Sequence, residues 1–99
     1  MLFGLFGKKE KMEEIFVGKV VHYFPKVKAA VIGIEKNSLS VGDRIKIKGY
    51  SGEFDQEVKS MQVEHETVEQ ASVGGEVAIK VRKKARRGNR VFLLRKKIK

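Results

Sequence analysis

Apolar and polar residues alternate along most of the chain with the two-residue period of a β-strand. Residues 44–48 read Arg-Ile-Lys-Ile-Lys, which places isoleucine on one face and cations on the other. Residues 76–82 repeat this pattern and place Val77, Ile79 and Val81 on a single face. An apolar period of 3.6 residues nowhere persists beyond one or two turns, so no long helix is predicted. The pattern predicts an all-β fold with these five side chains, counting Ile45 and Ile47, in its interior.

Turn signals divide the chain into six predicted strands. The strands cover residues 15–24, 27–34, 44–48, 54–66, 76–82 and 90–94. Within the long fourth strand the apolar phase slips between Val58 and Met61, which predicts a β-bulge. Six short strands within residues 15–94 favour a closed antiparallel barrel, because closure removes the exposed edges that would otherwise recruit other strands.

A glycine turn precedes three of these strands. It occurs as Val41-Gly42-Asp43-Arg44-Ile45, as Val73-Gly74-Gly75-Glu76-Val77 and as Arg87-Gly88-Asn89-Arg90-Val91. In each case a glycine, which can adopt positive φ, stands just before a polar residue and a new apolar strand. We interpret these segments as turns at strand entrances rather than as catalytic loops.

The positive charge is concentrated in the last fifth of the chain. The 99 residues contain 22 Lys and Arg and 12 Asp and Glu, a formal net charge of +10. Residues 1–79 hold 11 of the bases and all 12 acids, a net charge of −1, whereas residues 80–99 hold the other 11 bases and no acid. A block of like charge repels itself unless it meets a polyanion, and nucleic acid is the commonest polyanion inside cells. The simpler alternative is a solubilising segment with no dedicated partner.

We predict an RNA-binding surface on this basic region. Its residues are Lys80, Arg82, Lys83, Lys84, Arg86, Arg87, Arg90 and Arg95. Lysine offers phosphates a point charge and arginine offers forked donors, so the expected contacts are with the RNA backbone. Phe92 is the only aromatic ring in this region and is expected to pack inside, which gives base stacking little support.

The composition excludes several kinds of chemistry. There are no cysteines, so disulfides, thiolate metal sites and cysteine nucleophiles are excluded, and a reducing cytoplasmic location is favoured. His22 and His65 are the only histidines, and no ligand spacing supports a metal site. Asp43 and Asp55 lie in glycine-rich turn regions without a nucleophile-elbow pattern nearby. We therefore expect no enzyme activity and no cofactor.

Three segments are predicted along the chain. They are a flexible N-terminal segment, residues 1–14, a β-barrel domain, residues 15–94, and a basic C-terminal tail, residues 95–99. Four large apolar side chains lie within residues 2–6, namely Leu2, Phe3, Leu5 and Phe6. We expect this segment either to fray or to contact a protein partner, a membrane surface or a second copy of the protein. The order of these side chains relative to the following lysines is the reverse of a secretory signal. No run approaches the roughly 20 apolar residues of a membrane span.

An ordered series of short segments resembles the second domain of translational GTPases such as elongation factor Tu. The series runs through residues 17–20, 39–49, 58–63, 74–81 and 87–91. Similar barrels, alone or appended to collagenase-like peptidases, share the strand end His-Tyr-Phe-Pro-Lys found at residues 22–26. The resemblance implies a six-stranded Greek-key β-barrel. In the translation factors this domain lies beside the GTPase domain and helps to hold aminoacyl-tRNA or to contact the ribosome.

The chain departs from that family in ways that bear on its function. It has no phosphate-binding loop, since residues 4–8 have the wrong spacing and no Ser or Thr follows Lys8. Asn89 stands where the family usually has Asp, and no tRNA-end pocket can be aligned. We predict a non-enzymatic barrel that binds RNA or a ribonucleoprotein. The alternatives are a protein-interaction barrel and a subunit of an enzyme whose catalytic partner is separate.

Overall fold

A computed structural model of the protein describes residues 12–96, and the fold of these residues is all-β. The strands are β1 (Met12–Phe24), β2 (Ala29–Ile34), β3 (Leu39–Ser40), β4 (Arg44–Gly49), β5 (Gly52–Glu57), β6 (Met61–Val63), β7 (Glu66–Val68), β8 (Gln70–Ala71), β9 (Glu76–Lys80) and β10 (Arg90–Lys96). The apolar N-terminal segment predicted to contact a partner lies outside the described residues. Regular strand pairing extends past residues 15–94 at both ends, because Met12 pairs with Lys96.

Eight of the strands form one antiparallel sheet. Its order is β5-β4-β10-β1-β2-β9-β6-β7, and β3 and β8 form a separate two-stranded ladder. The central strand β1 pairs with β10 on one side and β2 on the other, and its register shifts once in each ladder. Such bulges increase the local twist and bend of a strand, which allows a long strand to wrap around a core.

The core is shared by strands from distant positions in this sheet. The five side chains predicted to be interior, Ile45, Ile47, Val77, Ile79 and Val81, are each at most 4% exposed. They belong to one hydrophobic cluster with residues of β1, β2, β6 and β10. Since β4 and β9 lie four places apart in the sheet, a common cluster requires the sheet to curl around it. The strict alternation of the sequence therefore located the core faces correctly.

The backbone ladders do not close this sheet into a barrel, which corrects the predicted closed six-stranded form. Its two ends are β5 and β7, and no ladder joins them among residues 12–96. A side chain spans the gap between β5 and the end of β9 instead. The Gln56 amide donates to the carbonyl of Lys80 at 2.8 Å, and its oxygen accepts from the N–H of Arg82 at 2.8 Å. The predicted Greek-key connection of the strands remains a prediction.

The predicted fourth strand, residues 54–66, is wrong in its extent. The chain leaves β5 after Glu57 and enters β6 at Met61, next to β9 and on the far side of the sheet from β4. Val58 and Met61 are both fully buried although three residues apart. A continuous strand would place such residues on opposite faces, so the apolar slip marks a change of strand rather than a bulge.

The recurring glycine turns have the predicted backbone conformation. Gly42, Gly74 and Gly88 have φ between +92° and +98°, where side chains with a Cβ are strained. In two of the turns the following polar side chain closes the loop. Asp43 accepts from the N–H of Ser40 at 2.8 Å, and Asn89 accepts from the N–H of Arg86 at 2.9 Å. The Asn-for-Asp difference therefore keeps the turn and leaves it uncharged.

Candidate nucleic-acid interface

The segment from residue 81 to residue 89, here called the basic loop, joins β9 to β10 and is firmly anchored. Val81 and Ala85 are buried in the core at 4% and 1% exposure. The N–H of Gly88 donates to the carbonyl of Val20 at 2.7 Å, and the N–H of Val20 donates to the carbonyl of Asn89 at 2.8 Å. The charged residues of the loop are consequently displayed from a fixed backbone.

Asn89 also ties the basic loop to the tip of the β4–β5 hairpin. Its side chain lies directly over Gly49, so closely that a Cβ at Gly49 would overlap the Asn89 amide nitrogen. The two elements are therefore in contact at this point, and the space on either side of the contact forms a cleft. A larger residue at position 49 would therefore displace the Asn89 side chain.

Two adjoining depressions, of about 530 and 320 Å³, lie between the basic loop and the hairpin tip. Together they are here called the basic cleft, and they share Gly49, Glu53 and Asn89. Six cations line the basic cleft: Lys48, Lys83, Lys84, Arg86, Arg87 and Arg90. Among residues 12–96, Glu53 is the only acidic residue that lines it, and its carboxylate lies 3.5 Å from Lys46. The cleft is therefore strongly electropositive.

The cations of the basic loop differ from those of β4 in their partners. On β4, Arg44 lies 3.5 Å from Asp55, and Lys48 lies 2.7 Å from Glu14. Among residues 12–96, no ion pair involves the side chains that follow: Lys83, Lys84, Arg86, Arg87 and Arg90. Charges without a local counter-ion attract a polyanion more strongly than charges that are already neutralised. Among residues 12–96, the cations that lack an ionic partner therefore lie on the loop and at the start of β10 rather than on β4.

Glu14 pairs with both lysines of β4. It accepts hydrogen bonds from Lys48 at 2.7 Å and from Lys46 at 3.0 Å. These bonds, from Lys48 first, hold the pKa of Glu14 below its usual range. The hydrogen bond to Glu14 likewise raises the pKa of Lys46. These ion pairs connect the start of β1 to β4 across the intervening strand β10.

Glu14→Gln is expected to reduce the acid sensitivity of the fold. Because the pKa of Glu14 is lower in the folded state, its contribution to stability is present above about pH 4.3 and is lost as the pH falls further. The variant lacks this contribution, so its urea midpoint should fall less between pH 6 and pH 3 than that of the native protein. Glu69→Gln is the control, since Glu69 takes part in no ion pair of residues 12–96. If the urea midpoints of the two variants fell equally between pH 6 and pH 3, the stabilising role of the ionised Glu14 would be contradicted.

The predicted RNA-binding residues divide into three groups. Lys83, Lys84, Arg86, Arg87 and Arg90 lie together at the basic cleft. Lys80 and Arg82 line a neighbouring cleft beside β5 and make structural contacts, since Lys80 Nζ donates to the carbonyl of Val27 at 3.2 Å and Arg82 Nε donates to the carbonyl of Asp55 at 3.0 Å. Arg95 lies apart from the cleft, five residues along β10 from Arg90, or roughly 17 Å.

Two aromatic residues differ from the sequence interpretation. Phe92 is only partly buried, and its ring packs on the outer face of the sheet, 5.7 Å from Phe16 and beneath Lys48 and Arg90. It shares the outward phase of β10, opposite Val91 and Leu93. Tyr50, which the sequence analysis did not single out, stands fully exposed at the hairpin tip and lines the basic cleft. The sequence Gly-Tyr-Ser-Gly at residues 49–52 could have indicated this exposure, because it places an aromatic residue inside a turn.

A further cleft, here called the apolar cleft, has a volume of about 600 Å³. It lies between the turn that follows β1 and the turn that joins β6 to β7. Phe24 and Val27 line it and are 46% and 54% exposed. Glu64 and His65, at its other side, both have positive φ, a strained conformation for residues with a Cβ.

Two further kinds of feature would bear on function, a cluster of metal ligands and a long apolar helix. Within residues 12–96, no group of three or more His, Asp or Glu side chains could hold a metal ion. His22 packs against Phe24 at 4.3 Å, and His65 lies in the β6–β7 turn. The same part of the chain contains no helix long and apolar enough to cross a membrane.

Comparison with known proteins relates the chain to peptidases. No family model matches it. It is 39% identical over 93 residues to a protein of Methanocaldococcus jannaschii described as an uncharacterized protease, and 33% identical over 88 residues to a collagenase of Porphyromonas gingivalis. These matches cover 93% and 88% of this chain. They cover only 23% and 21% of the respective relatives, so the chain spans less than a quarter of their length.

Solved structures confirm the fold. The C-terminal domain of a Geobacillus thermoleovorans protein described as a U32 peptidase superposes with a TM-score of 0.73 and 22% identity, over 78% of this chain and 96% of that domain. A second structure of that domain gives a TM-score of 0.71. The resemblance to β domains appended to collagenase-like peptidases is therefore supported. The relatives named here are not translation factors and lend no support to the elongation factor resemblance.

Proposed function

We propose that this chain is a non-catalytic β domain that binds RNA, or the RNA of a ribonucleoprotein, through the basic cleft. One observation carries the proposal. Five cations of the basic loop and the start of β10 line the basic cleft and have no ionic partner among residues 12–96, while the cations of β4 have one. A rigid, concave and electropositive surface of this kind suits a phosphate backbone.

The chemistry of the basic cleft favours contact with the backbone rather than recognition of sequence. Lys83 and Lys84 offer compact ammonium charges on one side of the hairpin tip. Arg87 and Arg90 offer forked guanidinium donors on the other side. Phosphate contacts fix the position of a protein on RNA without reading its bases, so we expect similar affinity for RNAs of different sequence.

The proposal predicts a steep salt dependence of RNA binding. If the cleft neutralises about five phosphates, the logarithm of affinity should fall against the logarithm of salt concentration with a slope of about −3.5 to −4.5. Fluorescence anisotropy with labelled RNA of two unrelated sequences measures this slope for the native protein. A lack of measurable affinity at low salt would refute the RNA proposal and leave the protein-interaction alternative.

The apolar cleft favours that alternative as a second candidate function. Phe24 and Val27 expose apolar surface around it. Among residues 12–96, Glu64 and Glu76 are the acidic side chains that line it, and no lysine or arginine does. The chemistry fits a polypeptide with an apolar side chain beside a cation. Two relatives are named a protease and a collagenase, and proteins with these names act on polypeptides. This function would be favoured if a polypeptide co-purifies with the native protein after nuclease treatment and no longer co-purifies with the Phe24→Ser variant.

We place no catalytic step in this chain. Among residues 12–96, no hydrogen bond joins a serine or threonine hydroxyl to a histidine or to a charged side chain, and the peptidase-named relatives are about four times as long. The activity of those relatives would accordingly reside outside the matched stretch, with the β domain supplying a binding surface. RNA as the ligand is consistent with the cytoplasmic location expected from the cysteine-free sequence.

A further inference from the structure

Tyr50 is the most exposed large hydrophobic side chain of residues 12–96. It has a relative exposure of 106%, so no neighbouring side chain covers either face of its ring. It lies with Ser51 in a two-residue loop, since Gly49 and Gly52 are the last paired residues of the β4–β5 hairpin. The second tyrosine, Tyr23, instead packs against the hydrophobic core. An aromatic ring left wholly in water at the rim of a charged cleft is a typical binding feature.

The hairpin tip holds this ring beside the phosphate-binding cations. Tyr50, Lys48, Arg87 and Arg90 line the same depression of the basic cleft. The close contact between Asn89 and Gly49 fixes the hairpin tip against the basic loop at the residue before Tyr50. A strand whose phosphates lie along Arg87 and Arg90 therefore passes next to the tyrosine ring.

The other rings near the cleft already have partners. Phe54 lies beneath the guanidinium of Arg82 at 5.6 Å, and Phe92 lies beneath Lys48 and Arg90 at 5.1 and 5.8 Å. These cations occupy the ring faces that a base would need. Among the rings of the described cleft, Tyr50 alone offers a free face.

We propose that Tyr50 stacks on an unpaired nucleobase, so that the ligand of the basic cleft is single-stranded RNA or an RNA loop rather than a continuous duplex. This inference rests on the proposed function, because the cations must first hold the backbone. Bases within a duplex are covered on both faces by their neighbours, whereas an unpaired base presents its face to an aromatic side chain. The cations alone would accept either form of RNA.

Variants of Tyr50 separate stacking from charge. Tyr50→Ala should weaken binding of a single-stranded oligouridylate by about 5- to 150-fold and change binding of an RNA duplex of equal length little. Its salt slope should match that of the native protein, because no charge is removed. Tyr50→Phe keeps the ring and should bind within about twofold of the native protein, since stacking requires the π-face and not the hydroxyl.

Tyrosine fluorescence reports the stacking directly, since the chain has two tyrosines and no tryptophan. Tyr23→Phe leaves Tyr50 as the only emitter, and its emission, corrected for absorption by RNA, should be quenched by oligouridylate and less by duplex. Equal losses of affinity for both RNAs in Tyr50→Ala, or no loss while loop-cation variants still lose affinity, would overturn the stacking proposal and leave RNA binding intact. Failure of the native protein to bind either RNA would overturn both.

Discussion

Replacement of Lys83, Lys84, Arg86 and Arg87 with glutamine is expected to weaken RNA binding roughly 10³-fold at about 0.1 M salt. Each phosphate contact that is lost gives up the release of a condensed counterion, which is worth about 0.7 to 0.9 log unit of affinity at that salt concentration. With about one contact remaining of five, the salt slope should flatten to about −1. The loss should be similar for RNAs of different sequence, because phosphates carry no sequence information.

The matched control removes four exposed cations from the acidic part of the chain. Lys19, Lys26, Lys28 and Lys36 are all exposed and lie outside the basic cleft. Their replacement with glutamine changes the net charge by the same amount, so any difference between the two variants reports position and not total charge. Equal losses in both variants would show that binding depends on diffuse charge and would contradict a site at the basic loop.

The loop variant should remain folded. All four substituted side chains are exposed, whereas the buried anchors Val81 and Ala85 are unchanged. The bond from Arg86 to Asn89 uses the backbone N–H of Arg86 and survives the substitution. An unchanged circular-dichroism spectrum and thermal midpoint would confirm that lost affinity reflects the surface.

Gly18→Ala is expected to unfold the domain or to cost roughly 4 kcal/mol or more, a loss comparable with the whole stability of a small domain. Gly18 is buried in β1 and pairs with Ile34 on one side and Val91 on the other. A Cβ at this position would overlap the carbonyl oxygen of Gly33, a backbone atom that cannot rotate away. Relief would require the central strands β1 and β2 to separate.

Gly75→Ala provides the control for that substitution. Its added Cβ would meet the nearest atom, the carbonyl oxygen of Ser72, at 3.6 Å, an ordinary contact distance. Chemical denaturation of the two variants should show Gly75→Ala near the native stability and Gly18→Ala far below it. Native-like stability of Gly18→Ala would show that β1 and β2 do not approach as closely as described.

The sequence predicts the core well because burial imposes a period of two on an antiparallel strand. Ile45 and Ile47 face inward in the structure, as do Val77 and Ile79. The positive φ of the turn glycines follows from the same local logic, since only glycine adopts it without strain. These features depend on residues close together in the chain.

Sheet order and the clefts could not be predicted because they depend on contacts between distant residues. No local pattern shows that Gln56 bonds to Lys80 and Arg82 or that Glu14 neutralises Lys46 and Lys48. Arg95 is close to the other cations along the chain, but the extended strand β10 places it far from Arg90. Residues spaced along an extended strand lie far apart, whereas residues of a loop can lie close together.

The most direct test of the account is to map where RNA touches the protein. Native protein is crosslinked by ultraviolet light to RNA containing 4-thiouridine, digested, and the modified peptides are identified by mass spectrometry. If RNA binds the basic cleft, we expect crosslinks within residues 82–90 and at the hairpin tip around Tyr50, because these segments line the cleft. Crosslinks confined to other surfaces, such as the apolar cleft at Phe24 and Val27, or no crosslinks at all, would contradict binding at the basic cleft.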